Sequence, residues 1–195
     1  MEKYVFILEL LVTKNIDKIE KDTTLKLTEI TKLDKVHFNK TTWYKVVKIL
    51  AHLRQLSILF SEKEIFKNIF TFILDACKHA KENLCFYYIM KIVCQMKRVE
   101  MHTLIRSANL MKEYSEFFDI CTEFLKNNYQ EKTDPLILEI LLYVIEYYDY
   151  LLKFTELHDM LNDNNVIFII SSMLSIHDNK HILKAISVVL SNASK

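Results

Sequence analysis

Apolar residues recur along this chain three and four positions apart, the spacing that gathers them on one side of an α-helix. The pattern is clearest over 134–195. Asp134-Pro135 opens a helix with a carboxylate cap and a proline whose missing N–H costs nothing in the first turn. Leu136, Ile137, Ile140, Leu141, Val144 and Ile145 follow at helical spacing. Beyond Leu151, Leu152 and Phe154, the polar run Asn162-Asp163-Asn164-Asn165 breaks the pattern and launches Val166, Ile167, Ile169, Ile170, Met173 and Leu174. His177-Asp178-Asn179 predicts a turn, with Asp178 capping a last helix through Ile182, Leu183, Ile186, Val189 and Leu190.

The earlier part of the chain carries the same period. A helix is predicted over 2–19, with Val5, Leu8, Val12, Ile16 and Ile19 on one side, where it would cover an otherwise open hydrophobic end. Asp22 or Thr23 caps a short second helix through Leu25, Leu27, Ile30 and Leu33. Residues 39–42 start a third, with Trp43, Val46, Val47, Leu50 and Leu53 at core spacing. Ser61-Glu62-Lys63-Glu64 predicts a capping box ahead of Ile65, Ile69, Phe72 and Ile73. A polar turn over 78–83 leads to a returning helix with Leu84, Tyr87, Tyr88, Ile92 and Val93. A shorter helix over 102–111 precedes Phe117, Phe118, Ile120, Cys121, Phe124 and Leu125, then a polar loop over 127–134. Three hairpins therefore stand in line, about 50 residues apart, slightly longer than the roughly 40 to 47 of armadillo and HEAT units. Segments 102–111 and 149–158 fall where the short first helix of an armadillo unit belongs.

The residues from Asn164 to Asn192 resemble an armadillo repeat. In that family a turn opens a second helix ending in a paired leucine, an acidic turn follows, and the third helix closes on tryptophan-alanine-leucine-serine-asparagine. Here the closing run is Val188-Val189-Leu190-Ser191-Asn192, with Val188 at the tryptophan position. Asn164 or Asn165 can adopt the left-handed conformation that glycine usually supplies at the turn. The resemblance covers 136–195 and implies an all-α, right-handed α–α superhelix. In such a solenoid, 1–60 would supply N-terminal capping helices and 61–195 about three repeats of a single domain. A second, shorter resemblance spans 27–54. Leu27, Ile30, Leu33, Val36 and Phe38, then Thr42-Trp43-Tyr44-Lys45-Val46-Val47, Leu50, Leu53 and Arg54, are similar to the N-terminal helical bundle of transcription elongation factor TFIIS. That likeness implies a nuclear module docking elongation factors or nucleic acid.

Composition narrows the chemistry. The chain has no glycine and one proline. Phosphate-cradling loops, dinucleotide fingerprints and the nucleophile elbow all need a residue without Cβ where backbone meets ligand or turns sharply. Those enzyme classes are excluded. Four cysteines, Cys77, Cys85, Cys94 and Cys121, lie in apolar helical patterns without a C-x-x-C pair, which predicts reduced core thiols of an intracellular protein, cytoplasmic or nuclear. No apolar run approaches the roughly 20 residues that span a bilayer, and no cofactor motif is present.

Charge is unevenly laid out. Residues 1–100 carry 18 basic and 12 acidic side chains, and residues 101–195 carry 8 and 13, so one end is suited to a partner of opposite sign. His177 and His181 share a helical face, but neither a third ligand nor the glutamate of H-E-x-x-H accompanies them, so a polar turn rather than a metal site is expected. No acidic pair is marked as a general acid and base. Lys45, Lys48 and Arg54 are the candidate phosphate contacts, too few in a balanced chain to predict nucleic-acid binding.

The expected function is a non-enzymatic scaffold that binds a partner protein as a peptide or helix. Tyr143, Tyr147, Tyr148 and Tyr150 form a dense aromatic patch, and tyrosine favours interfaces because an apolar ring carries a polar tip. Registering the Val188–Asn192 run on the earlier returning helices places Tyr143 and Tyr147, and Lys91 and Gln95, at the positions of Val188 and Asn192. The armadillo resemblance implies that Asn192 holds the backbone of an extended peptide. Lys91, Gln95, Tyr143, Tyr147, Val188 and Asn192 are therefore the candidate partner-binding row.

Overall fold

The computed structural model describes residues 24, 28–32, 35, 38–53, 56–96, 101–154 and 157–194. The helix expected over 2–19, the cap at Asp22 or Thr23, and Arg54 lie outside these residues. The described residues form ten α-helices, two short 3₁₀ segments and no strand. The helices are α1 (Lys40–His52), α2 (Leu56–Leu59), α3 (Lys63–His79), α4 (Asn83–Met96), α5 (Met101–Ser107), α6 (Met111–Asn128), α7 (Pro135–Leu151), α8 (His158–Asp163), α9 (Val166–Ser172) and α10 (Lys180–Ala193). From α2 onward, a short helix followed by two longer ones recurs three times. The shortness of α9 is offset by the 3₁₀ turn Met173–Ser175 that continues it. The chain divides into two compact units, Met1–Glu116 and Phe117–Lys195, and the division falls inside α6.

In the first unit α1 lies most extensively against α4, and α3 touches both. Asn39 starts α1 by accepting from the Thr42 N–H at 2.8 Å and the Thr42 hydroxyl at 3.0 Å. Val46, Val47, Ile49 and Leu50 are then wholly buried, as the 3.6-residue period requires. Trp43 fixes the entry of this helix. Its ring meets Phe38 edge-on at 5.1 Å, Phe72 at 5.0 Å and the His79 ring in a parallel stack at 5.5 Å. Lys35 reaches the same cluster, with its ammonium 2.7 Å from Asp75 Oδ2 and 5.2 Å from the Phe72 ring centre.

The capping box expected at 61–64 is not formed. The four-residue helix α2, too short for its own periodicity to show, ends just before it and buries Leu56 and Leu59 completely. Ser61 consequently finishes that turn, donating its hydroxyl to the Ile58 carbonyl at 2.8 Å, and Glu62 becomes the residue before α3 without a side-chain cap. Between α3 and α4 the polar turn expected over 78–83 is confined to 80–82, because Lys78 and His79 complete α3 and Asn83 opens α4.

In the second unit Asp134 caps α7 as the sequence predicts, accepting from the N–H groups of Leu136 at 2.8 Å and Ile137 at 3.2 Å. Ahead of it, Glu131 Oε1 gathers the N–H groups of Lys132, Thr133 and Asp134 and the Thr133 hydroxyl. These donors, Thr133 foremost, hold the Glu131 carboxyl down to about 2. Ile140, Leu141, Val144, Ile145, Tyr147, Tyr148 and Leu151 bury one side of α7. Tyr148 meets Phe118 edge-on at 5.7 Å, and its hydroxyl pairs with Thr122 Oγ1 at 2.9 Å. Burial raises that phenol above its ordinary range.

Asn165 takes the left-handed conformation, at φ 55°, and turns the chain into α9. At the start of α10, Asn179 rather than Asp178 is the cap. Asn179 stands immediately before the first helical residue, where its side chain reaches the N–H groups of His181 at 3.0 Å and Ile182 at 3.3 Å. Asp178 is one position too early. Helix α10 lies most extensively against α7, and α9 against α10.

Candidate binding surface

Within each unit two long helices lie side by side, and residues just off their core stripes define a row at the surface. In the first unit these are α1 and α4. Tyr44, Lys48 and His52 follow one another at four-residue intervals on α1, all half-buried. Tyr87, Tyr88 and Lys91 answer them on α4, also half-buried. Tyr88 joins the two helices, with ring centres 5.9 Å from Tyr44 and 5.4 Å from His52. Tyr87 crosses Tyr88 edge-on at 5.0 Å.

Both lysines settle on these rings. Lys48 Nζ lies 5.7 Å from the Tyr44 centroid, and Lys91 Nζ lies 5.3 Å from Tyr87 and 5.9 Å from Tyr88, inside the range of cation–π attraction. His52 is held by its own helix, since Nδ1 donates to the Lys48 carbonyl at 2.7 Å. That bond places the proton on Nδ1. The arrangement sets two ammonium groups against tyrosine rings of the paired helices.

Gln95, one turn beyond Lys91, faces inward. Its amide donates to the Ala51 carbonyl at 3.3 Å near the end of α1, and its Oε1 is buried without a hydrogen-bond partner among the described residues. Gln95 thus clasps α4 to α1.

In the second unit the corresponding pair is α7 and α10. Tyr143 is half-buried and Val188 is 43% exposed, so both reach the surface. Asn192 is half-buried and its Nδ2 donates to Asp149 Oδ1 at 2.7 Å. Tyr147 is placed differently from its neighbours in the row. It is wholly buried, edge-on to Phe117 at 5.8 Å, and belongs to the core. The tyrosine patch divides accordingly, because Tyr148 is also buried and Tyr150 nearly so, leaving Tyr143 as the member within reach of solvent. Around Tyr143 the outer face of α7 carries Glu139, Glu146 and Asp149.

His177 and His181 are separated by burial. His177 is 7% exposed and its Nε2 donates to the Tyr129 carbonyl at 2.7 Å, tying the turn before α10 to the loop before α7, while His181 is exposed. Among the described residues no cluster of three or more His, Cys, Asp or Glu side chains could hold a metal ion. The four cysteines are free thiols; Cys85 and Cys121 are buried, Cys77 and Cys94 half-buried. Burial pushes the Cys85 thiol up to about 12 and raises Cys77 as well, so neither is poised as a thiolate. Among the described residues no helix is long and apolar enough to cross a membrane.

No family model, curated protein or solved structure matches this chain.

The sequence pattern alone singled out Lys48 and Lys91 without joining them. What it missed is the pairing of α1 with α4, which brings Tyr44 and His52 beside Tyr88. The four-residue spacing of Tyr44, Lys48 and His52 was legible as an off-core row. Its partner helix was not, since that contact spans some forty positions of chain.

Proposed function

We propose that this chain is a non-catalytic protein-binding scaffold, an armadillo-like right-handed α–α superhelix that takes a peptide or partner helix along the outer rows of its third helices. The observation that carries this reading is the lateral pairing of long helices three apart in order within each unit, α1 with α4 in one and α7 with α10 in the other. The threefold order of one short and two longer helices supports it. Such stacking buries one continuous core while leaving long rows of side chains for a ligand. Lys91, Tyr143 and Val188 are the members of the expected row with surface to offer. Gln95 and Asn192 hold neighbouring helices by hydrogen bonds, and Tyr147 backs the row from within.

Site-specific photo-crosslinking in extract of the native cell tests the reading. A benzoyl-phenylalanine placed at Lys91, Tyr143 or Val188 is expected to capture the same protein, whereas one at Ser61 or Lys126, off these rows, is not. Small-angle scattering of the purified chain should fit an elongated, curved particle. Equal capture at all positions, or a spherical particle, would remove the proposal.

A further inference from the structure

We propose that Phe38, Trp43, Phe72 and Asp75 form a binding site for an alkylated ammonium ion, which the chain's own Lys35 fills until such a ligand displaces it. The three rings touch one another, with centres 5.1 Å apart for Phe38 and Trp43, 5.0 Å for Trp43 and Phe72, and 6.4 Å for Phe38 and Phe72. Lys35 Nζ stands 5.2 Å from the Phe72 centroid and 6.0 Å from that of Trp43, within reach of cation–π attraction. Asp75 Oδ2 lies 2.7 Å from the same nitrogen. Rings and a carboxylate thus meet on one ammonium group.

A lysine ordinarily lays its stem along apolar surface and leaves its head in water. Lys35 instead brings its head to the cluster: the side chain is 29% exposed, and Phe72, the nearer ring, is wholly buried. Taking a charge partly out of water is costly, and here the rings and the Asp75 carboxylate offset that cost. The Asp75 side chain is 33% exposed and Phe38 is half-buried, so the place of the ammonium is reached from solvent.

Occupation by Lys35 decides which ligands compete. A tethered group acts at an effective concentration on the order of mM, so an ordinary lysine with the same head gains nothing over it. Alkylation changes that balance. A methylated ammonium holds its water less tightly, packs its methyl groups on the rings and still feels the charge of Asp75. The trimethylated lysine of a partner protein and a free quaternary amine such as choline carry the same head.

Trp43 is the chain's one tryptophan, so its emission reads the site directly in the full chain. Titration with choline and with the N-acetyl amide of trimethyl-lysine is expected to change that emission saturably. Lys35→Ala removes the internal competitor and should tighten binding of one or both at least about tenfold. Asp75→Asn added to that variant should weaken it again at least about fivefold. Neohexyl alcohol, the uncharged carbon analogue of choline, should leave the emission unchanged. If Lys35→Ala fails to fold by circular dichroism, Lys35→Met, which keeps an unbranched stem without the charge, takes its place with the same expectation. Tighter binding of the lysine derivative assigns the site to a partner's methylated lysine, and tighter binding of choline to a free amine. No saturable change in the Lys35-substituted protein would overturn the proposal. So would equal affinity with and without Lys35, or equal binding of the uncharged alcohol, either of which would leave Lys35 a packing contact only. None of these residues belongs to the row of Lys91, Tyr143 and Val188, so failure here leaves the scaffold reading to its own test.

Discussion

Asn192 on α10 donates its side-chain amide to Asp149 on α7 across 2.7 Å, joining two helices through residues 43 positions apart. The armadillo resemblance would give that amide to a peptide; here it meets a carboxylate of its own chain. A hydrogen bond to a charged group on a half-buried face contributes on the order of 1 kcal/mol or somewhat more. Asn192→Ala and Asp149→Ala should each lower unfolding stability by about 1 kcal/mol, and the double variant by less than the sum. Urea unfolding of the four proteins measures the coupling. Strict additivity would mean that the contact holds nothing.

Helix starts offer a sharper contrast. Asn39 and Asp134 each satisfy N–H groups at a helix beginning, so Asn39→Ala and Asp134→Ala should each cost about 1 kcal/mol. Ser61→Ala with Glu64→Ala should together stay within about 0.5 kcal/mol, because Ser61 turns back to Ile58 and makes no capping box. A loss above about 1 kcal/mol from that pair would show that the box forms in solution.

What could be foreseen divides along physical lines. The apolar period located α1, α3, α4, α6, α7, α9 and α10 because each must bury a stripe, and Asp134-Pro135 marked its cap because the needed groups are adjacent in sequence. The short helices were harder. α2 has four residues, less than two turns, and carries no period to detect. Of the segment expected over 149–158, residues 149–151 complete α7, and the short helix begins only at its far end, as α8 at His158–Asp163. At 178–179 either Asp178 or Asn179 has the side chain to cap α10, and which one does depends on where the backbone enters the helix. The binding row was legible in its members and illegible in its geometry. Nothing local distinguishes Tyr143 from Tyr147, yet one is half-buried and the other wholly buried.

Acid should weaken the loop before α7. Glu131 accepts four donors in its charged form, which lowers its carboxyl from an ordinary 4.5 to about 2. A depressed carboxyl contributes stability that is fully present above the ordinary value and lost as pH falls through the folded one. The window therefore runs from 4.5 down to about 2. Glu131→Gln should leave stability less dependent on pH in that window than the wild-type chain. A carboxyl resonance of Glu131 titrating near 4.5 would show that the donors are not gathered in solution.

Tyr143 and Tyr147 lie one helical turn apart on α7 and should respond oppositely to truncation. Tyr147 is 0% exposed and edge-on to Phe117 at 5.8 Å, in contact also with Tyr148 at 5.7 Å. Tyr147→Ala removes a large ring from a packed interior that can collapse only partly, which costs about 3 to 5 kcal/mol in comparable cores. Tyr143 is half-buried, so Tyr143→Ala should retain helicity and melt close to the wild-type protein. Its effect belongs to binding: loss of an aromatic anchor at an interface is expected to weaken capture of the partner by about 2 kcal/mol, or roughly thirtyfold. Thermal unfolding followed by circular dichroism, with affinity for the cross-linked partner measured on the same samples, checks both halves. A folded Tyr147→Ala protein of wild-type stability would place that ring outside the core. A Tyr143→Ala protein that binds at full strength would move the docking row off α7.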